Sequence, residues 1–259
     1  MFGFIYSKVT LNLAFCSRLI ETRVTPCKLM LLLGTLKHAQ HSERQRMKIS
    51  KGIEEQGIPV GNYYDKYNTQ NPIARRLMQG FDRNLTELVN KVAPQSIHEV
   101  GCGEGIWVLK WQQQGIDAKG SDFSHQVIQL AKENAQSSHL KENLFEQKSV
   151  YDVDKAHDSA EMIVCCEVLE HLEHPEQALI AIQQLNASHY IFSVPREPLW
   201  RVLNMARGKY LQDGGNTPGH IQHWSKRTFK ALLSQHFEIL EVRSPIPWTM
   251  VLCQRVEHD

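Results

Sequence analysis

The chain has 259 residues, enough for one α/β domain with a substantial hydrophobic core. Its 29 lysines and arginines nearly balance its 28 aspartates and glutamates, so the formal net charge is only +1. This balance gives no general electrostatic reason to expect a membrane or a nucleic acid as partner. Beyond residue 46 the chain is mildly acidic and carries no basic stripe, which argues against extended RNA or DNA as a substrate.

The six cysteines are scattered, at positions 16, 27, 102, 165, 166 and 253, and no C-x-x-C pair occurs. This usage is typical of a reduced chain without a structural zinc site, and it predicts a cytoplasmic location.

Residues 1–46 differ from the rest because they carry seven basic residues and only two acidic ones. Their apolar runs are too short, and too interrupted by Lys and Arg, to span a bilayer. Two interpretations stay open: an extension outside the fold, or a transit peptide or membrane-surface helix. We favour the first, with the domain running over residues 47–259.

A helix is predicted from Asn71, with Pro72 in its first turn, where the missing N–H of proline is harmless. Its apolar residues recur at helical spacing, which indicates packing against a core. Arg75 in this helix is a candidate to bind the carboxylate of a cofactor, although a solvated helix face is an equally good explanation.

The segment 96–122 is predicted to form a strand, a tight glycine turn, a helix and a second strand. A sharp turn and a close approach by a ligand are possible here because the turn contains Gly101, Gly103 and Gly105. The free N–H groups at the start of the following helix would then point at that ligand. Asp122 ends the second strand, where a carboxylate can accept hydrogen bonds from ribose hydroxyls. The dinucleotide pattern G-x-G-x-x-G would need glycine at position 106, which is Ile106 here.

The run E-V-G-C-G-E-G, residues 99–105, resembles the first motif of class I S-adenosylmethionine (SAM)-dependent methyltransferases. The resemblance implies an α/β, Rossmann-like sheet with an antiparallel last strand, helices on both faces, and SAM as cofactor. The residues it places at the cofactor are Arg75, Glu99, Gly101, Cys102, Gly103, Asp122, Phe123, Val150, Tyr151 and Glu167. For Glu99 the residues themselves suggest orientation of the turn or contact with a cationic ligand. For Cys102 they suggest packing beneath the loop.

The remaining elements alternate between strand and helix and then end in two strands. We predict a helix over His125–Ala135, strands over 143–150, Glu161–Cys166 and His189–Val194, a helix over Lys226–His236, and strands over Phe237–Arg243 and Trp248–Gln254. The two closely spaced final strands indicate an antiparallel hairpin at the sheet edge.

A second group of polar residues follows the fourth strand, at the edge where open α/β sheets bind ligands. Glu167, Glu170 and His171 form an E-x-x-E-H motif, and a glycine-bracketed loop ends at His220. Such an oxygen-rich set suits Mg²⁺ or Mn²⁺. These two motifs resemble those of ubiquinone-type O-methyltransferases and of small-RNA 2′-O-methyltransferases, which implies that all four residues bind a divalent cation.

The E-x-x-E-H string also has a second explanation. Methyltransferases that need no metal carry a similar string, in which the first glutamate lies beside the cofactor and the histidine caps or packs. In that case His171 or His220 is a candidate general base.

The segment 195–224 is a predicted insertion whose first half is amphipathic and basic. The family resemblance implies that it forms the lid over the substrate. The same pattern suits peripheral contact with a membrane surface, or simply a helix packed over the end of the sheet.

The sequence therefore predicts a SAM-dependent methyltransferase acting on a small-molecule acceptor, with a hydroxyl group as the favoured methyl acceptor. The alternatives are a non-catalytic methyltransferase-like binding or regulatory protein and a nucleotide-dependent oxidoreductase. The identity of the acceptor and the oligomeric state do not follow from the sequence.

Overall fold

The computed structural model describes residues 47–50, 52, 54–55, 58–61 and 69–256. Residues 1–46, and the prediction made for them, lie outside the described part. The strands are β1 (Glu54–Glu55), β2 (Ile58–Pro59), β3 (Ser96–Val100), β4 (Asp117–Asp122), β5 (Phe145–Gln147), β6 (Met162–Cys166), β7 (His189–Pro195), β8 (Phe237–Arg243) and β9 (Trp248–Arg255). The helices are α1 (Pro72–Val92), α2 (Ile106–Gln113), α3 (His125–Ser137), α4 (Lys155–Asp158), α5 (Pro175–Gln184), α6 (Leu199–Ala206) and α7 (Lys226–Leu233).

Seven of the strands in the described part form one sheet, in the order β5-β4-β3-β6-β7-β9-β8. The first five of these strands are parallel, and β9 runs antiparallel between β7 and β8. The predicted fold class, including the antiparallel strand and the terminal hairpin, is confirmed. Parallel strands bring their carboxyl ends to one edge, so the residues after β3, β4 and β6 share that edge of the sheet.

Two clusters of buried apolar side chains hold the layers together, one on each face of the sheet. Along β6, Met162 and Val164 belong to one cluster, whereas Ile163 and Cys165 belong to the other. Because successive side chains of a strand point to opposite faces, this alternation assigns the clusters to the two faces. Helices α1, α2 and α3 cover the first face, and α5 and α7 cover the second.

Helix α1 begins where the sequence predicts. The side-chain oxygen of Asn71 accepts the free N–H groups of Ile73 and Ala74, at 2.9 and 3.1 Å, and Pro72 is the first helical residue. Such a cap satisfies N–H groups that have no partner inside the helix. The helix ends at Val92, and the next residue, Ala93, caps it in the left-handed conformation.

The third strand is shorter than the predicted 143–150. It is confined to Phe145–Gln147, and a 3₁₀ turn follows over Val150–Asp152. The hydroxyl of Ser149 accepts the N–H of Tyr151, a local bond that competes with strand pairing and turns the chain.

The insertion 195–224 contains α6 and a long loop, and its two ends meet at an isolated β-bridge between Arg196 and Trp224. Each helix in the described part falls short of the length and apolar character that crossing a membrane requires.

Candidate active site

The glycine turn after β3 is fixed by backbone bonds to the end of β4. The N–H groups of Gly101 and Cys102 both donate to the carbonyl of Ser121, at 2.7 and 3.0 Å. Gly101 has φ +79°, and a Cβ there would collide with the side chain of Val168. Gly103 has φ +53°, but a Cβ there would meet nothing within 4 Å. The turn is therefore closely packed against Val168 at Gly101 and open at Gly103. The open space beside Gly103, which we call the cradle, can hold a ligand.

Asp122 ties this turn to the start of α3. Its Oδ2 accepts the N–H of Gly103 and its Oδ1 accepts the N–H of Ser124, both at 3.0 Å. Burial raises the pKa of Asp122 to about 6, and the charges of Glu104 and Glu55 raise it further, against the effect of the two N–H groups. The carboxylate is thus ionised at neutral pH and poised to accept hydrogen bonds from a diol.

Glu99 is buried beneath the turn, where only 3% of its surface is exposed. Its carboxylate accepts the N–H of Val108 in the first turn of α2, a helix whose N-cap is Gly105 and has no side-chain cap. Burial, and then the charge of Asp122, raise the pKa of Glu99 well above its usual range. Its Oε2 is buried without a hydrogen-bond partner among the described residues, which suits a cationic group bound in the cradle.

The other residues that the resemblance assigns to the cofactor occupy different environments. Cys102 is buried, and its side chain packs under the turn against Gly120. Its burial raises the thiol pKa well above the usual range, so the side chain is inert packing. Val150 is buried, whereas Phe123 and Tyr151 are each 40% exposed. Arg75 is exposed in the first turn of α1.

A second cluster lies after β6, where a 3₁₀ turn covers Leu169–His171. Glu170, His171 and His220 each offer a ligand atom, and these three atoms lie within 4.8 Å of one another. The loop that carries His220 is docked by the N–H groups of Ile221 and Gln222, which both donate to the carbonyl of Glu170. Sequence-distant residues are thereby assembled into one potential cation site.

The hydrogen bond of His171 defines its tautomer. Its Nδ1 lies 2.9 Å from the carbonyl oxygen of Gly219, and because a carbonyl only accepts, Nδ1 carries the proton. In the neutral ring Nε2 then has the lone pair. This is the arrangement in which histidines bind metals, and it equally suits a general base.

Glu167, predicted as a ligand of the same cation, is not brought into this cluster. Its Oε1 accepts the hydroxyl of Ser193 at 2.9 Å, and its Oε2 accepts the indole N–H of Trp248 at 2.6 Å. The residue has φ +60°, which directs its side chain toward β7 and β9. Of the four residues expected from the motif, Glu170, His171 and His220 lie together, and Glu167 is held apart by Ser193 and Trp248.

Two tryptophans complete the surroundings of the cluster, and the sequence reasoning missed both. Trp200 in α6 stacks near His220, with ring centroids 5.8 Å apart, and its Nε1 donates to the hydroxyl of Thr217. Trp248 packs against Trp200 at the same centroid distance. The insertion 195–224 is thus joined to the sheet through aromatic rings. For Trp200 the signal in the sequence was a tryptophan in an otherwise basic insertion, whereas nothing in the sequence signalled Trp248, which begins β9.

Comparison with known proteins agrees with this geometry. A family model described as a methyltransferase domain matches residues 67–241. The ubiquinone biosynthesis O-methyltransferase of Escherichia fergusonii is 28% identical over 101 residues, which are 39% of this chain and 42% of that protein. Its counterpart from Rickettsia canadensis is 24% identical over 170 residues, covering 62% of this chain and 70% of that protein. The chain thus aligns with less than half of the first of these relatives.

A solved structure with a similar fold is the magnesium protoporphyrin IX methyltransferase of Synechocystis PCC 6803 with bound SAH. The TM-score is 0.57 at 16% identity, over 74% of this chain and 91% of that one. At this identity the likeness concerns the fold. The family match spans residues 67–241, which is more than half of the chain. The chain belongs to the methyltransferase domain family, and its sheet has the class I methyltransferase fold.

Proposed function

We propose that this methyltransferase acts on a hydroxyl group of a small-molecule acceptor, and that a divalent cation, Mg²⁺ or Mn²⁺, assists at Glu170, His171 and His220. The observation that carries the proposal is the convergence of these three donors within 4.8 Å, at the sheet edge that also holds the glycine turn. Hydroxyls of phenols, quinone precursors, sugars or polyketide-like scaffolds are the class of acceptor we favour.

The proposed cofactor site consists of the glycine turn, Glu99 and Asp122. The open side of Gly103 leaves room for a ligand, the carboxylate of Asp122 offers acceptors for ribose hydroxyls, and the buried carboxyl group of Glu99 keeps one oxygen for a cationic group. Val150, Tyr151 and Phe123 are the proposed contacts on the adenine side, and Arg75 is kept as a proposed carboxylate contact. Glu167 is proposed to lie beside the cofactor, held there by Ser193 and Trp248.

Bound SAM supplies an electrophilic methyl group on a positively charged sulfur. The chain's part is to hold that methyl group and the acceptor oxygen in line and at near-attack distance. The acceptor oxygen would form the new bond to the methyl carbon as the carbon–sulfur bond breaks, and the acceptor proton would pass to a base or to solvent.

Two ways of removing the acceptor proton are compatible with the cluster. A divalent cation lowers the pKa of a hydroxyl that it coordinates, so that no strong protein base is needed. Without a cation, Nε2 of His171 has the lone pair that a general base requires. His220 is the second candidate for this role.

The relatives support oxygen as the acceptor atom, because the curated proteins matched are ubiquinone biosynthesis O-methyltransferases. Since the first of them is matched over 42% of its length, acceptor type is a proposal for this chain.

The segment 195–224 is the proposed substrate lid. Val202 and Met205 of α6 are 50% and 39% exposed, and Arg201 and Arg207 flank them, which also supports the proposal of peripheral membrane contact. A cytoplasmic location remains a prediction, supported by the free thiols of the described cysteines, which are Cys102, Cys165, Cys166 and Cys253.

Calorimetric titration of S-adenosylhomocysteine (SAH) into the chain, followed by titration of Mn²⁺ and then EDTA, tests the proposal. We expect SAH to bind, and Mn²⁺ to bind to the wild type and to Glu173→Gln but not to Glu170→Gln. Glu173 is the matched control because it is an exposed carboxylate two residues beyond His171. Equal Mn²⁺ binding by both variants, or none by the wild type, would remove the cation from the proposal. No SAH binding by the folded chain would remove the cofactor site and favour the non-catalytic alternative.

A further inference from the structure

The described residues between 47 and 61, which are 47–50, 52, 54–55 and 58–61 and which we call the strap, contact the glycine turn through Ser50. They lie outside the region matched by the family model, which begins at residue 67. Ser50 and Val60 of the strap are buried, at 4% and 3% exposure. The hydroxyl of Ser50 donates to the carbonyl of Val60 at 2.8 Å, which closes the strap on itself. The strap is therefore anchored at these two buried residues.

The strap holds the glycine turn through Glu104, a residue of the turn itself. The N–H of Ser50 donates to Oε1 of Glu104 at 3.0 Å, and Glu104 is only 1% exposed. Gly61 has φ +64°, and a Cβ there would come within 2.7 Å of the same Oε1. The strap can approach the carboxylate this closely only because position 61 is glycine.

Buried Asn134 of α3 forms a second fastening. Its Oδ1 accepts the N–H of Lys48 at 2.8 Å, and its Nδ2 donates to the carbonyls of Lys48 and Glu104, both at 3.0 Å. One side chain thus joins α3, the strap and the glycine turn. Because these groups are buried, each bond is costly to leave unmade.

A third contact joins the strap to the loop after β4, on the other side of the proposed cofactor site. The hydroxyl of Ser124, which caps α3, donates to the carboxylate of Glu55 in the strap. The N–H of the same serine donates to Asp122. The strap therefore bridges the turn after β3 and the loop after β4, the two loops between which the cofactor is proposed to bind.

We propose that Glu104 is a positioning residue of the cofactor site, and that the strap uses it to hold the glycine turn in its SAM-binding arrangement and to set the charge around Asp122. This inference rests on the cofactor site proposed above, but not on the cation or the acceptor. It assigns a role in cofactor binding to residues outside the matched methyltransferase domain.

The charge of Glu104 gives the proposal a measurable signature. Asp122 is faced by the carboxylates of Glu104 from the turn, Glu55 from the strap and Glu99 from β3. The thiol of Cys102 and the N–H groups of Gly103 and Ser124 complete its surroundings. Removing the negative charge of Glu104 makes ionisation of Asp122 easier, so cofactor binding should persist to lower pH.

The test is calorimetric titration of SAH into the full chain between pH 5 and pH 8. In the wild type we expect the affinity to fall below about pH 6, as Asp122 is protonated. In Glu104→Gln the amide oxygen can still accept from Ser50, so we expect the midpoint of this fall to move to lower pH. Glu133→Gln is the matched control, because the exposed carboxylate of Glu133 pairs with the exposed ammonium of Lys48.

A second pair of variants tests the mechanical role without changing charge. Gly61→Ala forces an L-residue into a left-handed conformation against Glu104, and we expect SAH affinity to fall about tenfold at every pH. Gly80→Ala in α1 is the control, since a Cβ there meets nothing within 4 Å. Circular dichroism verifies that each variant is folded.

The possible outcomes separate this inference from the cofactor site itself. If the wild type binds SAH while Glu104→Gln keeps its pH midpoint and Gly61→Ala keeps its affinity, the strap has no role in cofactor binding. If the folded wild type binds no SAH, the cofactor site is wrong and this inference is overturned with it.

Discussion

The indole N–H of Trp248 donates to the carboxylate of Glu167 across 81 positions of the sequence, with Nε1 and Oε2 only 2.6 Å apart. Ser193 donates to the other oxygen of the same carboxylate. Three strands of the sheet, β6, β7 and β9, thus meet at one side chain that lies at the end of β6. The left-handed backbone of Glu167 is a conformation that non-glycine residues adopt at a cost, so these bonds help to keep it there.

Loss of the indole donor should be costly. We expect Trp248→Phe to lower the free energy of unfolding by about 1.5–3 kcal/mol, the range for a hydrogen bond to a charged group, in addition to the loss of packing. Urea unfolding of this variant, of Glu167→Ala and of the double variant forms a cycle that isolates the bond, because alanine offers no acceptor to the indole N–H. Strictly additive effects of the two substitutions would mean that the bond contributes no net stability.

Gly103 and Gly115 form a natural pair for separating backbone strain from cofactor contact. Both have positive φ, +53° and +86°, and a Cβ at either position meets nothing within 4 Å. We expect Gly103→Ala and Gly115→Ala to lose similar stability, about 1 kcal/mol each. Only Gly103→Ala should also weaken SAH binding, because its methyl group enters the cradle. Equal SAH affinity in the two variants would place the cofactor away from this turn.

His220 and His223 differ in their surroundings although both lie in the loop between α6 and α7. His220 is buried against His171 and Trp200, whereas His223 is exposed and bonds to the Oδ1 of Asn216. If the cluster binds a cation, His220→Asn should lose Mn²⁺ binding and His223→Asn should keep it. Electron paramagnetic resonance of free Mn²⁺ measures both directly. Retention of Mn²⁺ by His220→Asn would exclude this histidine as a ligand.

The sequence predicts those features that depend on residues close together in the chain. The glycine turn and Asp122 lie within one strand–helix–strand unit, so their spacing alone indicates a nucleotide site. The predicted ends of strands and helices were less accurate. The third strand, for example, is shorter than predicted because Ser149 forms a local hydrogen bond with Tyr151 that turns the chain.

Long-range contacts did not follow from sequence patterns. The bond between Glu167 and Trp248 is set by the order in which the last strands join the sheet, and it removes Glu167 from the expected ligand set. The bond between Ser50 and Glu104 likewise joins residues 54 positions apart. No periodicity or motif in the chain signals either pairing.

The buried surroundings of His98 predict how the free energy of unfolding changes as the pH falls. It is buried in β3 on the face opposite Glu99, with Nδ1 2.8 Å from the carbonyl of Asp158 and Nε2 2.9 Å from the hydroxyl of Ser121. The carbonyl only accepts, so Nδ1 carries the proton and the neutral ring accepts from Ser121. Burial lowers the pKa of His98 below its usual 6.5, against the carbonyl bond and the charge of Asp158. The charges of Lys119 and Lys148 lower it further.

A histidine whose pKa is lower in the folded state than in the unfolded state takes up a proton on unfolding. The stability that His98 contributes is therefore complete above pH 6.5 and is lost as the pH falls from there toward the folded-state pKa. We expect the free energy of unfolding of the wild type to fall by up to about 1.4 kcal/mol per pH unit from this group. His98→Gln should lack that component, whereas His125→Gln, at an exposed position, should retain it. Urea unfolding between pH 7.5 and pH 5.5 measures the three slopes, and identical slopes in all three chains would show that His98 is not the residue responsible.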